Sequence, residues 1–183
     1  AVTVSLKPIS GTPGDATSDQ MRALADAADR FGFGELRVTH AQNIVLPDIR
    51  KRDLGDLYRH LAAHGLATAN AGLITDIISC PGLDYCSLAN ARSIPIAEEI
   101  TQRFADIDEL HDIGDIDLHI SGCINSCGHH HSGHIGVLGV DKDGREWYQI
   151  SLGGSDGSAF SGAPVAGKVI GPSFAADEVA DAI

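Results

Sequence analysis

The sequence predicts an α+β fold in two successive parts, residues 1–66 and 70–183. Three observations predict it. Apolar residues alternate with period two at Val2, Val4 and Leu6, and again at Ile116, Leu118 and Ile120, as in half-buried strands. Between such runs they recur at helical spacing, bounded by capping residues and glycine. All four cysteines fall in the second part, in two tight pairs set among turn-forming Gly, Pro and Asn.

The first part reads as strand, helix, strand, strand, helix. After the opening strand, Thr17 and Gln20 have the spacing of a capping box. Met21, Leu24, Ala25 and Ala28 then repeat at i, i+3, i+4 and i+7 until Gly32 ends the helix. Leu36 and Val38 alternate, residues 40–42 connect, and residues 44–46 form a strand closed by Pro47, so the two strands should pair as a hairpin. Asp53 is placed to cap a second helix with Leu54, Leu57, Tyr58 and Leu61 on one face, ended by Gly65.

In the second part, Ala-Gly-rich sequence leads to Cys80 and Cys86, and a helix from about Pro95 carries Ile96, Ile100 and Phe104 on one side. The strand through Leu118 runs into Cys123 and Cys127, which are expected at a strand-to-helix junction, where backbone N–H groups and the positive helix end favour negative charge. Residues 135–140 and 147–152 flank Asp141-Lys142-Asp143-Gly144, a hairpin with a turn-forming tip. The Gly-rich stretch 153–171 reads as a long loop with one strand at 168–170. The chain lacks an initiator Met and closes on a helix-like run, 175–183, without a C-cap, so it is expected to be a piece of a longer protein.

Thirteen Lys and Arg against 25 Asp and Glu give a formal net charge of −12, which argues against nucleic acid or anionic membrane as a partner. No apolar run approaches the roughly 18 residues of a membrane span. Arg50, Lys51 and Arg52 form the nearest thing to a basic cluster and read as solvated charge before a helix. Unpaired thiols without an export signal predict a reducing cytoplasm.

The cysteines stand as CPGLDYC and SGCINSCGHHH. A cubic 4Fe-4S cluster takes four thiolates, and this is the use the pairs predict. Zinc sites usually pair ligands as C-x2-4-C, so C-x5-C is wide for that metal and C-x3-C borderline. Two disulfides would imply an oxidising compartment and a small loop-rich scaffold, which the apolar periodicity opposes. Buried free thiols would be scattered singly. Zinc and disulfides remain the competing uses.

The C-x5-C followed by G-C-x-N-x-C-G, together with SLKPISGTPGDATSDQM and RVTHAQNIVL, resembles the second half of the sulfite and nitrite reductases that couple siroheme to a 4Fe-4S cluster. The resemblance covers nearly the whole chain. It implies a ferredoxin-like half-domain over residues 1–66 and a 4Fe-4S and siroheme domain over 70–183, truncated at its C-terminus. It implies that Cys80, Cys86 and Cys123 hold the cluster, and that Cys127 holds a cluster iron while also ligating the siroheme iron. Asn125 fits the family's Asn, bracing the loop or serving as a turn residue. Arg37, Gln42 and Asn43 lie where the family meets siroheme or its pseudo-symmetric counterpart; for Arg37 the alternatives are a siroheme carboxylate and a surface ion pair.

The implied activity is the six-electron reduction of sulfite to sulfide by an assimilatory sulfite reductase. Its alternatives are reduction of nitrite to ammonia and a 4Fe-4S electron-transfer module without siroheme. The implied partners are sulfite or nitrite, a ferredoxin or flavoprotein electron donor, and the N-terminal half of the same polypeptide. That half is expected to supply the basic residues for the substrate anion, so no catalytic residue is named here. The chain departs from the family at His129, His130, His131 and His134, where an acidic residue is common; these histidines suit donation to cluster sulfides, proton transfer, a further metal, or a solvated turn.

Overall fold

Val2–Val4 (β1) leads through a loop to Ser18–Phe31 (α1), then Arg37–Val38 (β2) and Ile44–Leu46 (β3), and a 3-10 turn at Lys51–Asp53 enters Leu54–Ala62 (α2). The computed structural model describes residues 1–157 and 163–183. The three strands form an antiparallel sheet in the order β1-β3-β2, with Val2 opposite Leu46 and Val38 opposite Ile44. The expected hairpin is β2–β3. The capping box of α1 closes both ways: Thr17 Oγ1 accepts from Gln20 N–H, and Gln20 Oε1 accepts from Thr17 N–H.

The buried face of α1 is Ala23, Leu24, Ala27 and Ala28; Met21 is 62 % exposed and Ala25 lies outside. The stripe is thus turned from the expected one, and three of its four residues are alanines. On α2, Leu57 and Leu61 are buried while Leu54 and Tyr58 are exposed. Asp53 does not cap through its side chain: it belongs to the 3-10 turn and has φ −94°, ψ −4°, away from the extended angles a capping residue adopts.

The second part contains Ile78–Ser79 (β4), Ile94–Arg103 (α3), Ile107–Ile113 (α4), Leu118–Ser121 (β5), Ile135–Lys142 (β6), Arg145–Leu152 (β7), Lys168–Phe174 (β8) and Val179–Ala182 (α5). They build a five-stranded sheet in the order β4-β5-β6-β7-β8. β4, β5 and β6 are mutually parallel, β7 is antiparallel to β6, and β8 is antiparallel to β7. Asp143 and Gly144, both at positive φ (57° and 73°), make the two-residue turn of the expected β6–β7 hairpin. The strand expected at 168–170 extends to Phe174, and part of the Gly-rich stretch, 158–162, lies outside the described residues.

Two further differences matter. α4 was not expected; Asp106 caps it by accepting from the N–H groups of Asp108 and Glu109, and Gly114 at φ 81° ends it. No helix begins between Cys127 and β6. Residues 122–134 run as successive turns straight into β6. They are the crossover between parallel β5 and β6, and they fold back along β5 so closely that a Cβ at Gly128 would overlap the Ile120 carbonyl.

Two separate apolar cores result. One gathers Val4, Leu24, Leu46, Leu57 and Leu61; the other gathers Ile77, Ile100, Leu118, Ile120, Val137 and Tyr148. A polar knot joins them. Lys7, 1 % exposed, donates through Nζ to Asp76 Oδ1 at 3.0 Å and to the Ala41 carbonyl at 2.6 Å. Asn43 Nδ2 donates to both Asp76 carboxylate oxygens at 2.8 and 3.0 Å, and Asn43 Oδ1 accepts from Leu6 N–H. Burial lowers the Lys7 pKa, against the opposing pull of Asp76. Among the described residues no helix is long and apolar enough to cross a membrane.

Candidate functional site

β4 and β5 are parallel neighbours, with Ser79 opposite Ile120, and Cys80 N–H continues the ladder to the Ile120 carbonyl at 3.1 Å. Both cysteine loops therefore leave the carboxyl ends of adjacent parallel strands, the edge at which open α/β sheets bind ligands. The first loop turns through Gly82–Asp84, and Cys86 N–H bonds the Gly82 carbonyl. The second begins at Gly122, whose carbonyl accepts from Asn90 and Ala91 N–H at 2.8 and 3.0 Å. These bonds stitch the loops together. A Cβ at Gly122 would lie 2.5 Å from the Ala91 carbonyl oxygen and 2.9 Å from Gly82 Cα, so only glycine fits the seam.

All four cysteines are free thiols; Cys80 and Cys123 are buried, Cys86 is half-buried and Cys127 exposed. Cys80 Sγ accepts from Gly122 N–H at 3.1 Å and lies 3.4 Å from Ser93 Oγ. Arg92, beside Ser93, is fixed to β7: its N–H and guanidinium bond Glu146, and the Tyr148 hydroxyl donates to the Arg92 carbonyl and to Glu146. Burial would raise the Glu146 pKa, but these donors outweigh it and the net shift is downward; burial beside Glu146 pushes the Tyr148 phenol up.

The second loop is braced by Ser126, at φ 57°, whose hydroxyl lies 3.2 Å from His130 Nδ1 and 2.7 Å from His131 Nδ1. Gly128 N–H donates to Ser121 Oγ, and His119 Nδ1 meets the His129 carbonyl at 3.0 Å. His134 Nδ1 accepts from Asp117 N–H, which fixes that nitrogen as the unprotonated one. Burial lowers the pKa of His119 and of His130, and neighbouring histidines lower His130 further. Asn125 is exposed and braces nothing among the described residues; Ser126 does that work.

The three half-domain candidates separate. Gln42 reaches the site: Nε2 donates to the Ser79 carbonyl at 2.8 Å and Oε1 accepts from Ser79 N–H at 3.1 Å. With Thr12, Asp15, Cys80, Tyr85 and Ile94 it lines a cavity of about 270 Å³. Asn43 is 1 % exposed, with its amide committed to Asp76 and Leu6. Arg37 is exposed on β2, paired with Glu35 at 2.6 Å, and that contact raises its pKa. A second cavity, of about 310 Å³ and lined by Ile9, Phe104 and Leu110 among others, carries no titratable side chain.

Among the described residues no three Cys, His, Asp or Glu side chains converge as they would around a single ion. A cubane makes a different demand, because its thiolates bind separate irons at the corners of a cube. Four free thiols on one two-loop ledge, one of them already accepting a backbone N–H, are a donor set of the kind it takes. Exposed Leu83, Tyr85, Leu88 and Ile124 stand on the same loops. Sequence reasoning missed Ser93 and the Gly82–Gly122 seam; the dipeptide Gly122-Cys123 and a serine at a helix start were the available signals.

Residues 2–64 match the family model described as the nitrite/sulfite reductase ferredoxin-like half domain. The chain is 34 % identical over 149 residues to the chloroplastic ferredoxin–nitrite reductase of Zea mays, over 75 % of this chain and 25 % of that protein. It is 32 % identical over 163 residues to sulfite reductase (ferredoxin) 2 of Mycolicibacterium paratuberculosis, over 84 % of this chain and 29 % of that one. The structure of the Mycobacterium tuberculosis NirA protein superposes with a TM-score of 0.76 at 27 % identity, over 98 % of this chain and 33 % of that one. Dissimilatory sulfite reductase I shares the fold, with a TM-score of 0.72 at 15 % identity, over 94 % of this chain and 58 % of that one. The chain spans 25–29 % of the length of the curated relatives it matches. The half-domain match and these relatives together support the nitrite/sulfite reductase family.

Proposed function

We propose that this chain is the cofactor-holding C-terminal part of a siroheme-dependent assimilatory sulfite reductase, with the half-domain at 1–66 and the cluster and siroheme domain at 70–183. The observation that carries the proposal is the ledge at the ends of β4 and β5, where two stitched loops carry all four free cysteines. Cys80, Cys86 and Cys123 would hold a 4Fe-4S cluster, and exposed Cys127 would hold its fourth corner and face the siroheme iron. Bound together, the two groups would relay to sulfite, one at a time, the six electrons that an external donor delivers. The chain's own part is to hold and shield. Buried Cys80 and Cys123 keep two thiolates from water, Gly122 N–H offsets negative charge on one of them, and Leu83, Tyr85, Leu88 and Ile124 give an apolar surface suited to a macrocycle.

Reduction of nitrite to ammonia is the second reading, motivated by the equally similar ferredoxin–nitrite reductases. Ferredoxin-dependent sulfite reductases align over 82–84 % of the chain at 31–32 % identity and ferredoxin–nitrite reductases over 75–79 % at 30–34 %, so both readings draw on relatives of similar likeness. The proposal includes a ferredoxin or flavoprotein donor, a preceding half of the same polypeptide that binds the anion, and a cytoplasmic setting.

The test is the iron, zinc and acid-labile sulfide content and optical spectrum of the complete, anaerobically purified polypeptide. A five-iron complement with an isobacteriochlorin spectrum is expected. Cluster iron without the tetrapyrrole would leave an electron-transfer module, and zinc without sulfide would overturn the cluster. Cys127→Ser should abolish multi-electron turnover and His130→Ala should not; equal loss from both would contradict the role given to Cys127.

A further inference from the structure

Ser93 sits at the N-cap of α3, a position where serine ordinarily turns its hydroxyl onto the N–H of the second or third helical residue. Here it does not. The second helical residue is Pro95, which has no N–H, and Ser93 has φ −108°, ψ −37° and makes no capping bond. The side chain is fully buried, and its hydroxyl lies 3.4 Å from Cys80 Sγ, its only side-chain partner among the described residues. The same sulfur accepts from Gly122 N–H at 3.1 Å. No hydrogen bond reaches the sulfur of Cys86, Cys123 or Cys127 among the described residues.

We propose that Ser93 is a positioning residue that donates a hydrogen bond to the Cys80 thiolate and, with Gly122 N–H, raises the reduction potential of the bound cluster. This rests on the cluster reading above. The direction of the bond follows from the chemistry. A free thiol and a hydroxyl can each donate to the other, but a metal-bound thiolate has no proton, so Ser93 must be the donor. Donors to a cluster sulfur stabilise the reduced, more negative state more than the oxidised one. Two donors on one sulfur and none on the other three make the Cys80 corner the one best suited to hold added electron density. Ser93 is held there by its neighbours: Arg92 is fastened to Glu146 and Tyr148 on β7, and the Ser93 hydroxyl is wedged against Gly82 and Gly122.

The experiment is an EPR-monitored redox titration of the complete polypeptide, wild type and Ser93→Ala, after iron and sulfide analysis. A Ser93→Ala cluster of unchanged iron content and a more negative midpoint potential is the expected result. Intact loading with an unchanged potential overturns the proposal. Should Ser93→Ala fail to load, deuteron couplings of the wild-type cluster after exchange into D2O decide: a hydroxyl and an amide deuteron near one thiolate support the proposal, and an amide alone overturns it. A wild type without iron and sulfide overturns the cluster reading as well, so the two failures are distinguished.

Discussion

Gln42 serves Ser79 as a neighbouring strand would, its side-chain amide taking both the N–H and the C=O that β4, an edge strand, turns away from β5. Edge backbone groups need such a partner when buried, and Ser79 is 5 % exposed. Gln42 lies in the half-domain and Ser79 immediately precedes Cys80, so this pair sets the first cysteine loop against the loop at 12–15. Gln42→Ala is expected to lower stability by about 1–3 kcal/mol, the range for stranding buried backbone groups. Gln42→Glu should cost more, since a carboxylate oxygen would face the Ser79 carbonyl. Urea unfolding of the three proteins checks the order.

The Lys7–Asp76 pair is expected to respond asymmetrically. Without Lys7, Asp76 keeps Asn43 Nδ2 and Gly72 N–H as donors. Without the Asp76 charge, an ammonium 1 % exposed keeps only uncharged acceptors, Ala41 O and Asn43 Oδ1. Asp76→Asn should therefore destabilise by about 3–5 kcal/mol, as broken buried pairs do, and Lys7→Met by clearly less. Equal midpoint shifts in denaturant would contradict this.

Gly122→Ala should separate the two cysteine loops, because the added carbon has no room between the Ala91 carbonyl and Gly82. A cost of about 1–3 kcal/mol is expected from overpacking alone. The more telling readout is acid-labile sulfide, which should fall far more than in a control such as Gly55→Ala on α2, where the added carbon meets only the Arg59 guanidinium at 3.7 Å.

Acid should weaken the fold through His119. Burial holds its folded-state pKa below the ordinary 6.5, so on acidification the unfolded chain takes up the proton first. Its stabilising contribution is complete above about pH 6.5 and declines as pH falls from there through the lowered folded value. His130 shifts the same way and leaves part of the slope in place. His119→Asn, which keeps a donor for the His129 carbonyl, is expected to flatten the dependence between about pH 7.5 and 5.5. Urea midpoints across that interval measure it.

What the sequence disclosed and what it withheld divide by range. The Thr17–Gln20 box, the β6–β7 turn and the sidedness of Ile96 and Ile100 are local, and each was legible. Gln42 and Asn43 were legible as polar residues near the site, but their partners Ser79 and Asp76 lie in the other part of the chain and no spacing rule connects them. The helix expected after Cys127 failed for a related reason. β6 runs parallel to β5, which obliges the connection to travel back along the sheet, and strand direction is not written in the residues of the loop. The capping signal at Asp106 was present and went unused.

The parallel pairing of β4 with β5 also orders events in time. Its two strands are separated by α3 and α4, so the ledge closes only after a long loop has been brought home, whereas the β6–β7 hairpin zips from a two-residue turn. A zinc finger gathers its ligands from one local knuckle and folds on metal capture. Here each cysteine pair on its own offers two thiols, and the full set of four comes together only when the chain has closed this long-range contact. Insertion of the proposed cluster would thereby follow the closing of that pairing.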